Sequence, residues 1–154
     1  LSEPYGLDLS TIGEAKARQA HNGRHDLKQE LILCTPQAMW EVDSRSCSVE
    51  DANRLSEARL VFTADRDGQF NTLAAWFDAK LTDNVGLCNG PDQPDTHWGR
   101  SIFPSGRVVD LTKGAQVQIH FAHEPRGKGE SRATWEIQAG GYHFRSSDVT
   151  SLIR

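Results

Sequence analysis

The spacing of apolar residues changes partway along the chain. From Thr11 to Glu30 the residues are mostly Ala, Lys, Arg, Gln, Glu and His, good helix formers interrupted by Asn22-Gly23. Ser10 or Thr11 can cap the start, and Glu14 stands where a capping box needs its acid. The pattern predicts a helix over about Ile12–Ala20, a break, and a short second segment near Asp26–Glu30. The apolar face is thin, so this helix is expected to lie on a surface rather than inside a core.

After about Leu55 the period becomes two. Ala58–Thr63 reads as a strand closed by the turn signal Asp65-Arg66-Asp67-Gly68. Phe70–Leu81 is the strongest segment, with Leu73, Ala75, Phe77, Ala79 and Leu81 on one face and Trp76, Asp78 and Lys80 on the other. Val85–Cys88 is a further short strand, and Asn89–Asp95, rich in Gly, Pro, Asp and Asn, is an exposed loop. Arg100–Phe103, Ala115–Ala122, Ala133–Ala139 and Tyr142–Arg145 complete the set. They are separated by Pro104-Ser105-Gly106, by the Pro125–Gly129 turn and by the two-residue hairpin signal Gly140-Gly141. Gln116, Gln118 and His120 alternate with Val117, Ile119 and Phe121, which gives that strand one wet and one buried face. Many short strands without βαβ alternation predict a mainly β fold, an antiparallel β-barrel or sandwich with a short N-terminal helical segment. The division expected is a helical segment over 1–35 and a β domain over 36–154.

Composition narrows this picture. A length of 154 residues suits one domain with a real core, and four Trp, six Phe and two Tyr offset a hydrophobic content of only 37%. A formal charge of −4 with both signs interspersed argues against nucleic-acid binding and is compatible with a basic partner such as an Arg-rich peptide. Cys34, Cys47 and Cys88 form no CxxC pair, which predicts reduced thiols and a cytoplasmic setting. No apolar run approaches the roughly 20 residues that span a bilayer, so no membrane is expected. The start at Leu1, with no leader-like feature, predicts a piece of a longer protein or a processed product.

Chemistry-bearing motifs are few. No Gly-rich turn of the dinucleotide type, P-loop, GxSxG or HExxH is present. His21 and His25 have the spacing of two ligands on a helix, but Asn22-Gly23 breaks that helix. His120 and His123, three apart on a strand, point to opposite faces. No metal site is predicted, and the cysteines read as small core residues.

Four stretches resemble the C-terminal β-barrel domain of the class I protein arginine N-methyltransferases. Tyr5-Gly6-Leu7-Asp8-Leu9-Ser10 is similar to the YGFDMS-like segment that follows the family's dimerisation arm. Ala75-Trp76-Phe77-Asp78-Ala79 resembles its FWFDV strand, and Pro91–Trp98 its P-x-x-P-x-T-H-W stretch. Val108–Phe121 resembles the stretch in which a Gly precedes an I-x-I-x-F strand. The blocks cover most of Tyr5–Phe121. The resemblance implies a substrate-binding and dimer-forming barrel. Its partner would be an N-terminal domain that binds S-adenosylmethionine, and its substrate an arginine-containing protein, with a homodimer as the full-length form. Carried over by position, Trp98 would line the arginine pocket and Thr96 would help fix the loop. His97, the catalytic candidate, would pair with an acidic residue of the other domain and assist proton removal. The cofactor contacts have no counterparts in this chain.

The pattern departs from the family in two places. Gly99-Arg100 follows the Trp where a Gln two residues on is usual, and Leu87-Cys88-Asn89-Gly90-Pro91 replaces LSTxP. Arg100 would set a fixed positive charge near a cationic substrate unless it turns away or meets a carboxylate. Two alternatives stand beside this reading: a loop tip whose Trp98 packs back on the sheet, and a stand-alone β-sandwich for binding or oligomerisation without catalysis.

Overall fold

Alternation builds the larger sheet. Val117, Ile119 and Phe121 point into the core while Gln116, Gln118 and His120 lie on the other face. The computed structural model describes residues 10–94, 96–127, 130–146 and 151–153. The Tyr5–Leu9 part of the first family-like block, Asp95, and the Lys128-Gly129 part of the predicted turn lie outside them.

Among the described residues the helices are α1 (Ser10–Lys16) and α2 (Val49–Ala52), with a 3-10 turn at Gln29–Leu31. The strands are β1 (His21–Gly23), β2 (Ser56–Thr63), β3 (Gly68–Ala75), β4 (Asp78–Lys80), β5 (Gly86–Cys88), β6 (Arg100–Leu111), β7 (Gln116–Gly127), β8 (Glu130–Ala139), β9 (Tyr142–Arg145) and β10 (Ser151–Ile153). One sheet runs β10-β8-β7-β2, with β9 also on β8. A second runs β1-β6-β3, and β4-β5 form a hairpin of their own. Every pairing is antiparallel.

The two larger sheets share one core. Phe62, Val117, Ile119, Phe121, Ala133, Trp135, Ile137 and Phe144 from one pack with Phe103 and Leu111 of the other, with Phe70, Leu73 and Ala75 at the margin. Trp135, only 1% exposed, packs edge-on to Phe103 and donates its indole N–H to the Pro104 carbonyl at 2.8 Å. That bond removes the cost of burying a lone indole donor. The mainly β, antiparallel fold agrees with the sequence pattern, but among the described residues the sheets do not join into a closed barrel.

Local boundaries differ from the expectation, each for a physical reason. The helix stops at Lys16 rather than near Ala20, because the His21 ring meets the Lys16 carbonyl at 3.1 Å and the chain reverses into β1 on β6. The predicted Phe70–Leu81 strand changes partner at Trp76-Phe77: β3 pairs with β6 as far as Ala75, and β4 pairs with β5. Pro104-Ser105-Gly106 does not end β6. The irregularity is a bulge in β6, where Ser105 to Val108 stand opposite Asn71 alone between the pairs Thr72–Pro104 and Phe70–Val109; Gly106 takes φ +81°, and the Ser105 carbonyl accepts the Tyr142 hydroxyl at 2.6 Å. The outer edge of β2 receives one side-chain bond, from Gln37 Nε2 to the Val61 carbonyl at 2.7 Å.

Candidate functional site

A row of paired residues, Asn22 on β1, Ser101 on β6 and Ala75 on β3, crosses the second sheet at one end. It lines an open cleft of about 280 Å³ whose other lining includes Trp76, Phe77, Asn89 and Trp98. Trp98 is 59% exposed and stands edge-on to Phe77, ring centres 5.8 Å apart and planes at 89°. His97 is exposed beside it, its ring centre 6.4 Å from that of Trp98. Its imidazole makes no hydrogen bond or ion pair among the described residues. Thr96 contributes its carbonyl to a 3.4 Å bond from Gly99 N–H, while its hydroxyl is buried without a partner there. Trp98 therefore stands at the rim of the cleft, its indole packed on Phe77 yet open to solvent, with the His97 ring beside it.

The loop that carries them is pinned from within. Asn89, 2% exposed, accepts the Phe77 N–H on its side-chain oxygen at 2.9 Å and donates its amide N–H to the Gly99 carbonyl. Arg100, 4% exposed, donates to the carbonyls of Asn89 (2.6 Å), His25 (2.6 Å), Gly90 (3.0 Å) and Gln93 (2.9 Å). Five N–H donors in a rigid fork make Arg the side chain able to hold so many carbonyls at once. Gly99 has φ +64°, and a Cβ there would fall 2.5 Å from the Gly23 carbonyl oxygen, so β1 and the loop touch where only glycine fits. Asp92 ties the same loop to the N-terminal segment: its N–H bonds the Leu27 carbonyl at 3.0 Å, and its carboxylate accepts from Gln29 N–H at 3.3 Å.

Arg100 is buried, with its guanidinium within hydrogen-bond distance of four backbone carbonyls. Asn89 and Arg100 were not legible as structural pins, because their partners are backbone groups from distant positions. The Pro, Gly and Asp of the loop signalled only that it was irregular. No group of three or more His, Cys, Asp or Glu that could hold a metal ion is found among the described residues. No helix among them is long and apolar enough to cross a membrane.

The family model for the arginine methyltransferase oligomerization subdomain matches residues 2–147. The chain belongs to this family, the C-terminal domain of protein arginine methyltransferases. It is 28% identical over 116 residues to the arginine N(omega)-methyltransferase of Streptomyces achromogenes subsp. streptozoticus, an alignment covering 75% of this chain and 31% of that one. To protein arginine N-methyltransferase 1 of Saccharomyces cerevisiae it is 24% identical over 128 residues, covering 80% of this chain and 35% of the relative. The chain thus spans about a third of the length of these curated relatives. Among solved structures, the Trypanosoma brucei PRMT1 enzyme-prozyme heterotetrameric complex with AdoHcy superposes with a TM-score of 0.75 at 13% identity. That superposition covers 99% of this chain and 50% of the other, and it is a likeness of fold.

Proposed function

We infer that this domain is the acceptor-side part of an S-adenosylmethionine-dependent arginine N-methyltransferase, with Trp98 as one wall of the arginine pocket. The supporting observation is the placement of Trp98: an exposed indole, braced by Phe77, at the rim of an open cleft in a domain of the arginine methyltransferase family. A guanidinium is planar and permanently charged, so a pocket for it needs flat walls and an aromatic face. An indole face supplies a cation–π attraction of roughly 0.5–2 kcal/mol. His97, exposed next to it and without a hydrogen bond or ion pair among the described residues, takes an acidic partner from the rest of the protein, braces the pocket and assists loss of the guanidinium proton. Thr96 fixes the turn beneath them.

The described residues do not fit the cofactor. Their strands pair only in antiparallel fashion, with no Gly-rich turn between a strand and a helix to cradle an adenosyl group. This reading assigns S-adenosylmethionine to the rest of the protein and derives no step through it. Assembly as a homodimer and an acceptor arginine within a protein chain belong to the same reading, and free arginine is the second acceptor to assay because the Streptomyces relative is named for it.

The test uses the full-length protein with both acceptors. Trp98→Ala and His97→Ala are expected to lower kcat/KM for methyl transfer at least about tenfold while S-adenosylmethionine affinity stays unchanged. Parallel loss of transfer and cofactor binding would remove the pocket role. A wild-type protein that transfers no methyl group to either acceptor would favour a binding or oligomerisation module without catalysis.

A further inference from the structure

Arg100 occupies a place that the arginine-pocket reading leaves without a function. It is a buried cation within two residues of Trp98, in a domain whose proposed ligand is itself a cation. Its contacts show what it holds. The guanidinium gathers the carbonyls of Asn89, Gly90 and Gln93, which form the first half of the loop, and that of His25 on the N-terminal segment. Asn89, so held, fixes Phe77 through its side-chain oxygen and Gly99 through its amide. Phe77 is the surface on which Trp98 rests. An unbroken series of short contacts thus runs from Arg100 through Asn89 and Phe77 to the indole, and a second runs through Gly99 along the backbone.

We propose that Arg100 is a positioning residue for the acceptor: it sets the height and tilt of Trp98 over the cleft by clamping the 89–99 loop, and its charge plays no part in repelling or selecting the substrate. The proposal rests on the arginine-pocket reading. Four backbone carbonyls face the guanidinium, and solvent barely reaches it. Charge exclusion and loop positioning make opposite predictions for one substitution, which makes the point decidable. Removing a repelling charge would tighten the binding of a cationic acceptor. Removing a clamp would loosen it.

The experiment compares wild type, Arg100→Gln, Arg100→Lys, Trp98→Ala and the Trp98→Ala/Arg100→Gln pair in the full-length protein. The measurements are KM and kcat for the arginine acceptor, S-adenosylmethionine affinity, the thermal melt and amide exchange over residues 89–99. Gln reaches too few carbonyls to replace the fork. Arg100→Gln is expected to raise the acceptor KM about tenfold with kcat within about twofold, the signature of lost ground-state binding through the indole. Cofactor affinity stays unchanged, loop amides exchange faster, and Arg100→Lys restores part of the effect. On the Trp98→Ala background Arg100→Gln adds little, because both act on one contact. A lower KM in Arg100→Gln, or full additivity with Trp98→Ala, overturns the proposal. Should Arg100→Gln fail to fold, Arg100→Lys carries the same comparisons at smaller amplitude. Should the wild type transfer no methyl group, the pocket reading fails by itself. Loop exchange then still tests the clamp, and rates unchanged by Arg100→Gln overturn it.

Discussion

Asn89→Ala is the most informative single change to the loop's framework. The side chain is 2% exposed and bridges two backbone groups, the Phe77 N–H at 2.9 Å and the Gly99 carbonyl. Truncation deletes both bonds and leaves a part-buried donor facing a small void. A lost net hydrogen bond costs about 0.5–1.5 kcal/mol, and a buried group left unpaired costs about 1–3 kcal/mol. Together these span about 1.5–4.5 kcal/mol, and the part-buried Phe77 N–H places the cost in the lower half, about 1.5–3 kcal/mol. With a urea slope of about 2 kcal/mol per molar, the unfolding midpoint of the 154-residue chain falls by about 0.8–1.5 M at unchanged slope. Tryptophan fluorescence follows the transition, and amide exchange at Phe77 reports whether the loop opens locally before the core. Asn89→Asp keeps the acceptor for Phe77 but turns a carboxylate oxygen toward the Gly99 carbonyl, so it should also destabilise. If Asn89→Ala moves neither the midpoint nor the Phe77 exchange rate, the bridge carries no weight and the loop is held by other means.

Further expectations concern the rest of the fold. Trp135→Phe keeps most of the packing against Phe103 but strands the Pro104 carbonyl, and should cost about 1–3 kcal/mol in denaturant unfolding. A value near zero would mean that water replaces the indole. Gly106→Ala sets a Cβ 2.5 Å from the Phe144 ring at φ +81° and should lower the melting temperature by several degrees; no change would show that β6 relaxes freely at its bulge. Glu136 is hydrogen-bonded to His143 at 2.5 Å and to Arg145 at 3.1 Å, and these contacts hold its carboxyl below the ordinary value of 4.5. The stabilisation is therefore present above that value and fades as pH falls through the lower folded-state value. Stability curves of wild type and Glu136→Gln should converge below about pH 4.5, and curves that remain parallel there would contradict it.

Strict alternation in Gln116–Phe121 and Ala133–Ala139 made β7 and β8 legible, because each strand buries one face and wets the other. The Gly140-Gly141 turn placed β9 at its observed limits. Alternation was a poor guide where a strand changes partners: Phe77 continues the apolar face begun by Leu73 and Ala75, yet its N–H belongs to Asn89 rather than to a neighbouring strand. Pro104-Ser105-Gly106 carried every mark of a turn, and only tertiary partners, the Trp135 indole and the Tyr142 hydroxyl, keep β6 running through it. The Ser48-x-x-Asp51 capping box of α2 is visible in the sequence, but no apolar run follows it to mark a helix. The Thr96-His97-Trp98 motif was legible as a family-like stretch, and its indole lies on the cleft. The pins at Asn89 and Arg100 had no such signal, since backbone carbonyls leave no mark in a sequence.

The amide of Gln37 has a meaning beyond its own bond. Among the described residues β2 is the last strand of its sheet, and an open strand margin is a template on which another chain can continue the ladder. By occupying the Val61 carbonyl the side chain removes one rung from that template at the middle of the strand, where Glu57 and Arg59 already place charge nearby. Replacing Gln37 with an apolar residue would leave the fold intact yet expose a growth point, so its cost would appear in concentrated solution as self-association rather than as a lower melting temperature.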